Sequence, residues 1–200
     1  MSSLLFLQKF MHNPKQVGSV APSSRFLAQK MVEAVPWKEV GSVAELGSGT
    51  GPITKFIASK AKNTAKVFLF EKDAHMRSRL QAEYPEFVCA PDVIEMISII
   101  KRNGVHQLDC IISGLPFFNF SPRYRQRLIH QIVGSLKPGG YFIAFQYSLQ
   151  MKSVLEEAFD VESIQLVPLN FPPAFVYFCR KRNVPLGQGI IKNGKHPARS

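Results

Sequence analysis

Short apolar runs alternate with longer segments of mixed polarity through most of the chain. The short runs are typical of strands buried on both faces, and the mixed segments repeat their apolar positions with helical spacing. Regular alternation of the two predicts a parallel sheet with helices on both faces, an α/β fold. The predicted strands are residues 40–46, 65–71, 87–90, 108–113 and 141–147, and the predicted helices between them are residues 53–60, 74–83, 93–102 and 123–136.

The pattern changes after residue 147. Residues 148–159 are predicted to be helical, and residues 163–168 and 174–180 form two further strands joined by a short loop. Such a loop allows an antiparallel pair but is too short for a parallel crossover. The sequence therefore predicts a seven-stranded sheet that ends in an antiparallel hairpin.

The first strand runs into a glycine-rich turn, since residues 43–51 read Val-Ala-Glu-Leu-Gly-Ser-Gly-Thr-Gly. Gly47, Gly49 and Gly51 can adopt positive φ and let a ligand approach the main chain. The helix that follows presents its N-terminus to the same ligand. A glycine turn between strand and helix is the usual place for a nucleotide-like cofactor in an open α/β sheet.

Carboxylates mark the ends of the first three strands. Glu45 precedes the glycines, Glu71 follows them by about 20 residues, and Asp92 comes after the third strand. An acid at the position of Glu71 is where a ribose-binding carboxylate is expected in this kind of sheet. Because parallel strands end at the same edge, the three acids are predicted to lie around one cofactor.

Two helical segments are predicted before the sheet. Residues 2–12 are amphipathic, with Lys9 on the polar side, and residues 22–24 indicate the start of a second helix over residues 25–35. The apolar arc of the first segment contains Leu4, Phe6, Leu7, Phe10 and Met11, and the second helix offers Phe26, Leu27, Met31 and Val32 for packing. We expect an N-terminal unit over residues 1–35, a catalytic domain over 36–182 and a mobile basic tail over 183–200.

Composition limits the environment and the partners. The chain has 25 Lys and Arg against 14 Asp and Glu, a net charge of +11, which favours an anionic partner surface, either nucleic acid or acidic lipid. The three cysteines lie far apart, as expected for reduced thiols in the cytoplasm, and the scattered histidines predict no metal site. With no run long enough to cross a bilayer and no secretory signal, we expect a soluble or peripheral cytoplasmic protein.

The fourth strand leads into a distinctive corner. Residues 113–120 read Ser-Gly-Leu-Pro-Phe-Phe-Asn-Phe, which resembles the Asp/Asn/Ser-x-x-Pro-aromatic motif of methyltransferases that act on amino groups. The Glu-x-Gly-x-Gly-x-Gly turn likewise resembles motif I of class I S-adenosylmethionine (SAM) methyltransferases. The resemblance implies that SAM is the cofactor and that four residues shape the acceptor site: Ser113, Leu115, Pro116 and Phe117. Backbone carbonyls and the serine hydroxyl would hold the amine hydrogens, and a phenylalanine ring would face the developing positive charge.

Two more segments narrow the resemblance, residues 17–25 (Val-Gly-Ser-Val-Ala-Pro-Ser-Ser-Arg) and 169–177 (Leu-Asn-Phe-Pro-Pro-Ala-Phe-Val-Tyr). Together with the corner they resemble the bacterial PmtA-type phospholipid N-methyltransferases, from about Leu4 to Arg182. This implies stepwise methylation of phosphatidylethanolamine towards phosphatidylcholine at the inner face of the cell membrane. Phe175 stands where the family commonly has an arginine.

The resemblance also implies site residues by position. The implied cofactor contacts are Glu45, Gly47, Ser48, Gly49, Thr50, Gly51, Glu71, Lys72, Asp92, Val93 and Ser113. The expected substrate or membrane contacts are Phe6, Lys9, Phe10, Arg25, Phe118, Arg123, Tyr147 and Asn170. One of Arg123, Arg125 and Arg127 is a candidate for the lipid phosphate. Tyr147 is, by position alone, a candidate base for deprotonating the amine.

The expected partners are an anionic phospholipid surface and a lipid substrate, with a monomeric enzyme and no nucleic acid. Three alternatives remain at this stage. A nucleic-acid adenine N-methyltransferase of the ribosomal RNA type has a comparable corner, and the positive charge suits a phosphate backbone, although no separate recognition domain is evident. The others are a small-molecule amine methyltransferase and a membrane-binding module without activity.

Overall fold

The computed structural model describes residues 24–183 of the chain. The strands are β1 (Ser42–Leu46), β2 (Lys66–Phe70), β3 (Val88–Ala90), β4 (Leu108–Ser113), β5 (Leu136–Gln146), β6 (Asp160–Val167) and β7 (Ala174–Arg180). The helices are α1 (Arg25–Glu33), α2 (Pro52–Lys60), α3 (Ala74–Glu83), α4 (Met96–Arg102), α5 (Pro122–Ser135) and α6 (Lys152–Ala158). Single 3₁₀ turns cover Val93–Glu95, Phe117–Asn119 and Leu149–Met151.

The seven strands form one sheet in the order β3-β2-β1-β4-β5-β7-β6. The neighbours from β3 to β5 pair in parallel, and β7 pairs antiparallel with both β5 and β6. The predicted α/β fold, the number of strands and the reversed hairpin are all confirmed.

Helices cover both faces of the sheet because the strand residues alternate between two apolar layers. In β1, Val43 belongs to the layer beneath α1 and α2, whereas Ala44 belongs to the layer beneath α4, α5 and α6. Ser24 caps α1 by accepting the amide proton of Leu27, so the helix begins at Arg25, directly after the predicted start signal at residues 22–24. The buried face of α1 contains Leu27, Ala28, Met31 and Val32, but Phe26 is 53% exposed and does not pack inside as expected.

Several predicted boundaries were wrong. The sequence predicted a helix to residue 136 and a strand from residue 141, but α5 ends at Ser135 and β5 already begins at Leu136, so Lys-Pro-Gly-Gly at 137–140 is part of the strand. This stretch stays extended because Gly139 and Gly140 exchange backbone hydrogen bonds with Lys181. β6 starts at Asp160, three residues earlier than predicted, and the helices predicted over 93–102 and 148–159 each begin with a 3₁₀ turn.

Candidate active site

Four parallel strands end in register at one edge of the sheet. Leu46 at the end of β1 lies opposite Phe70 of β2 and Ser113 of β4, and Phe70 lies opposite Ala90 of β3. The chain segments that follow these residues therefore meet at the same edge, which confirms the predicted gathering of strand ends. The strand order reverses between β1 and β4, so the crevice of this open sheet opens there.

The glycine turn passes through the crevice with its three glycines in the left-handed region, at φ 75° for Gly47, 56° for Gly49 and 86° for Gly51. The amides of Gly47 and Ser48 both donate to the Phe70 carbonyl, which fixes the turn against β2. A Cβ on Gly47 would lie 2.8 Å from a methyl carbon of Leu115. Glycine is needed here for both its φ and its size.

Glu71 joins the glycine turn to the loop after β2. One carboxylate oxygen accepts the Gly49 amide proton at 2.7 Å, and the other accepts the Asp73 amide proton at 2.8 Å. The Arg77 guanidinium donates to the Glu71 carbonyl at 2.8 Å. The predicted ribose-binding acid thus lies beside the glycines, whereas Lys72 is exposed and Thr50 points to the surface of the turn.

Glu45 lies beneath the turn and is only 1% exposed. The Thr54 hydroxyl donates to one of its carboxyl oxygens at 2.6 Å. The Ser48 hydroxyl is near the same carboxyl group, but neither it nor the second oxygen makes a hydrogen bond of normal geometry. Burial raises the pKa of Glu45 to about 8, an effect that the Thr54 and Ser48 hydroxyls partly offset.

Asp92 and Val93 follow β3 at the same edge. The Asp92 carboxylate accepts the Ile94 amide proton at 2.9 Å and so caps the 3₁₀ turn, while Val93 is nearly buried. The backbone at this point is therefore fixed relative to Glu71, whose amide donates to the Ala90 carbonyl.

The Ser-Gly-Leu-Pro corner crosses directly over the end of β1. The Gly114 amide donates to the Leu46 carbonyl at 2.8 Å, and the fully buried Ser113 hydroxyl accepts the Leu115 amide proton at 3.2 Å. Gln146 at the end of β5 donates to the Leu115 carbonyl at 3.0 Å. The corner and the glycine turn are consequently held against each other at the switch point of the sheet.

The aromatic residues after the corner divide between core and surface. Phe117 is 1% exposed, and its ring packs edge-on against Phe142 in the core, unlike the expected acceptor-facing ring. Phe118 is 39% exposed and lies beneath the Arg125 guanidinium, 5.9 Å from the ring centroid. Phe118 is therefore a better candidate than Phe117 for facing a cationic acceptor from this loop.

The Arg125 side chain binds the backbone of the loop that follows the corner. Its guanidinium donates to the carbonyls of Phe117 at 3.1 Å, Phe118 at 3.3 Å and Phe120 at 3.1 Å. These contacts use most of its donors, so Arg125 is not a free phosphate ligand. Arg123 and Arg127 on the same helix are exposed and stay candidates for that role.

Replacing Arg125 by alanine is expected to loosen residues 117–120. Hydrogen bonds from a charged donor contribute about 1.5–3 kcal/mol each, less at a partly exposed site, so we expect amide exchange at Asn119 and Phe120 to accelerate about 10- to 30-fold. Hydrogen–deuterium exchange measures this directly. Arg127→Ala removes the same charge from an exposed position of α5 and should leave the exchange unchanged; equal acceleration in both variants would contradict the assigned role.

Two predicted substrate contacts have structural roles instead. Asn170 is 4% exposed: its oxygen accepts the Ser24 amide proton at 3.0 Å, and its amide group donates to the Pro172 carbonyl at 2.6 Å. The prediction that Asn170 faces the substrate or membrane is corrected, because its polar atoms tie α1 to the β6–β7 loop. Burial raises the pKa of Tyr147, an effect partly offset by its hydrogen bond with Asn170, so the phenol is poorly suited to accept a proton near neutral pH.

Sequence reasoning missed Thr54, Arg77 and Gln146. Each is a polar side chain that buttresses a predicted site residue, respectively Glu45, Glu71 and Leu115. The clearest available signal was Gln146, a glutamine at the end of the apolar strand β5. Burying its amide without a hydrogen-bond partner would cost free energy, which indicates that the side chain has a partner. Arg25, at the start of α1, is exposed. Phe6, Lys9 and Phe10 lie outside the described residues.

Comparison with known proteins agrees with this geometry. Residues 17–166 match the Methyltransferase small domain family, and the chain belongs to that family. It is 33% identical over 184 residues to the ornithine lipid N-methyltransferase of Singulisphaera acidiphila. The match covers 88% of this chain and 94% of that protein. A shorter match, 38% identical over 60 residues, links 30% of this chain to 22% of the ribosomal RNA small subunit methyltransferase A of Maridesulfovibrio salexigens.

A solved structure shows the same fold. The N-methyltransferase NodS from Bradyrhizobium japonicum WM9, in complex with S-adenosyl-L-homocysteine, superposes with a TM-score of 0.64 at 12% identity, over 90% of this chain and 99% of that one. The cofactor of this chain is SAM. The residues at the crevice fit it: positive-φ glycines admit a ligand to the backbone, Glu71 offers a carboxylate for ribose hydroxyls, and Glu45 retains a buried oxygen without a partner.

Proposed function

We propose that the protein transfers a methyl group from SAM to the amino head group of a membrane lipid. The observation that supports this proposal most strongly is the contact between the Ser-Gly-Leu-Pro corner and the glycine turn. The hydrogen bond from the Gly114 amide to the Leu46 carbonyl fixes this contact. The contact supports a role for the corner in binding the amine, because it lies at the same strand edge as the glycine turn that is proposed to hold the cofactor. The full-length similarity to an ornithine lipid N-methyltransferase supports a lipid acceptor. Phosphatidylethanolamine has the same reactive group, a primary amine, and we propose it as a substrate beside ornithine lipid.

SAM, when bound, supplies an electrophilic methyl carbon on a sulfonium. The glycine turn and Glu71 would hold this donor, and methylation would replace its C–S bond by a C–N bond to the acceptor nitrogen, with the neutral thioether as the leaving group. The role of this chain is to orient the nitrogen: carbonyls of the corner accept its hydrogens and leave the lone pair directed at the donor. Phe118 offers a π-face for the positive charge that develops on nitrogen, worth about 0.5–2 kcal/mol.

A lipid amine must lose a proton before it can attack. The corner contains buried or half-buried apolar groups, among them Leu115 and Phe117. Transfer of an ammonium group into such surroundings lowers its pKa. We therefore propose that desolvation at the corner, with water as the proton acceptor, produces the neutral amine, and that Tyr147 is not the base.

Labelled SAM tests this function directly. The protein is incubated in parallel with vesicles containing phosphatidylethanolamine, with vesicles containing ornithine lipid, and with ribosomal RNA, and label is counted after lipid extraction. We expect label in one or both lipids. Label confined to RNA would replace the proposal with the second candidate, a ribosomal RNA adenine N-methyltransferase, which is favoured only by the 60-residue match and by the positive charge.

Removal of residues 1–12 is expected to weaken vesicle binding. This segment lies outside the described residues, and the expectation rests on its amphipathic pattern and on Lys9. Co-flotation with liposomes measures the effect, and circular dichroism checks that the domain stays folded. A truncated protein that floats like the full chain would remove residues 1–12 from membrane docking.

A further inference from the structure

Six large apolar side chains are exposed in the described part of the chain, and all six lie at one edge of the sheet. Phe118 follows β4, Leu149 follows β5, Leu166 is near the end of β6, and Leu169 and Phe171 lie in the loop between β6 and β7. The sixth, Phe26, is in the first turn of α1. We call these six residues the apolar rim. Leu169 and Phe171 are the most exposed, at 64% and 75%.

Asn170 draws three of the rim segments together. Its side chain accepts the Ser24 amide proton two residues before Phe26, and it is flanked in sequence by Leu169 and Phe171. It also bonds to Tyr147, two residues before Leu149. The Tyr177 hydroxyl, one strand inward, donates to the Ser148 carbonyl and fixes the same segment. The segments that carry Phe26, Leu149, Leu169 and Phe171 are therefore held together by hydrogen bonds at this edge.

Charge is distributed unevenly around this edge. None of the 14 acidic residues lies between Cys110 and Leu155, or after Glu162. Acids at the carboxyl edge, among them Glu71, Asp73 and Asp92, follow β2 and β3 on the cofactor half. The acceptor half instead presents Arg25, Arg123 and Arg127 at its surface. Apolar side chains bordered by cations suit the interface of an anionic bilayer.

We propose that the apolar rim is a membrane-docking surface, which seats the acceptor half of the crevice on an anionic lipid bilayer. This inference rests on the proposed lipid function and adds a contact separate from residues 1–12. Aliphatic Leu149, Leu166 and Leu169 distinguish the rim from a single-stranded RNA platform, whose energy comes from aromatic stacking. A second copy of the chain is disfavoured as the occupant, because two surfaces of the same positive sign repel each other.

The docked orientation has a consequence for the substrate. The corner residues 113–116 open at the same edge as the rim, so a head group could enter the crevice while its acyl chains stay in the bilayer. Docking through the rim would then raise the concentration of lipid amine at the corner without removing the lipid from the membrane.

The test is flotation of the full-length protein with phosphatidylglycerol vesicles. Leu169→Ser with Phe171→Ser is expected to lower the vesicle-bound fraction about tenfold, since two exposed apolar side chains would no longer be buried in lipid. SAM affinity, measured by calorimetry, confirms that this variant is folded. Wild-type flotation of a folded variant would overturn the proposal.

A matched pair of charge reversals tests the electrostatic part. Arg123→Glu with Arg127→Glu changes the rim side, whereas Lys62→Glu with Lys66→Glu makes the same change of net charge at the opposite edge, near the start of β2. We expect a loss of about tenfold or more in flotation only for the first pair. Equal losses, or lost RNA binding in a gel shift with normal flotation, would contradict a bilayer as the occupant.

Failure of the inference can be told apart from failure of the proposed function. Transfer of label to lipid dispersed in detergent micelles does not need bilayer docking. Labelled micellar lipid together with unaltered flotation of the rim variants would remove the docking surface and leave the function. Rim-dependent flotation without label in any lipid would retain the surface and remove the function.

Discussion

Replacing Glu45 by glutamine is expected to remove a large pH dependence from the stability of the fold. The pKa of Glu45 rises from 4.5 to about 8 in the folded protein because the carboxyl group is buried. Between these values the unfolded chain has lost the proton and the folded chain retains it, so wild-type stability falls as the pH rises. Below 4.5 both states are protonated, and above about 8 both are ionised, so the difference is constant outside this window.

The expected change in the free energy of unfolding is large enough to show whether Glu45 is protonated in the folded protein. Between about pH 5 and pH 8, the free energy of unfolding of the wild type should fall by about 4 kcal/mol relative to Glu45→Gln. Urea denaturation of both proteins across this range measures the difference, and the other titrating groups cancel because both proteins share them. Glutamine keeps the oxygen that accepts from Thr54, so the variant should fold at all these pH values. Parallel stability curves would show that Glu45 is ionised in the native protein.

Replacing Glu71 by alanine is expected to weaken SAM binding about 100-fold. The carboxylate accepts the amide protons of Gly49 and Asp73, so its loss removes a brace of the glycine turn together with the proposed acid for the ribose hydroxyls. Charge-assisted hydrogen bonds contribute about 1.5–3 kcal/mol each, and about 2.7 kcal/mol corresponds to 100-fold in affinity. Isothermal titration calorimetry with SAM measures the change.

Two control variants separate a direct contact from a general effect of charge. Glu86→Ala removes the same charge from an exposed position before β3 and should bind SAM normally. Glu71→Gln retains one acceptor oxygen and should show an intermediate loss. Wild-type affinity in Glu71→Ala would remove Glu71 from the cofactor site.

The fold was predictable because the pattern of apolar and polar residues shows where each strand begins and ends. Alternation of apolar runs and helical segments predicted seven strands, and the helix boundaries 74–83 and the strand boundaries 108–113 and 174–180 agree with the structure. The gathering of Glu45, Glu71 and Ser113 followed, since parallel strands end at one edge. The late start predicted for β5 was an error of local reading: Lys-Pro-Gly-Gly is typical of a turn, but tertiary pairing with Lys181 keeps it extended.

The side-chain roles were less predictable because they depend on contacts between distant segments. Asn170 looked like a surface residue until the structure showed its amide bound to Ser24, 146 residues away. Phe117 and Phe118 are neighbours of the same type, and only the packing of Phe117 on Phe142 separates a core ring from an exposed one. Arg125 and Gln146 donate to backbone carbonyls, and the sequence does not reveal which carbonyls those are, although a polar glutamine at the end of an apolar strand marks the position of Gln146.

A crystal structure of the complex with S-adenosyl-L-homocysteine tests the central claim most directly. We expect the adenosine between Glu71 and Asp92, with the thioether sulfur directed at residues 113–116 and within about 6 Å of the Ser113 backbone, because reacting atoms must approach to about 3–3.5 Å. A ligand bound away from the glycine turn, or a sulfur more than about 10 Å from that corner, would be incompatible with methyl transfer there.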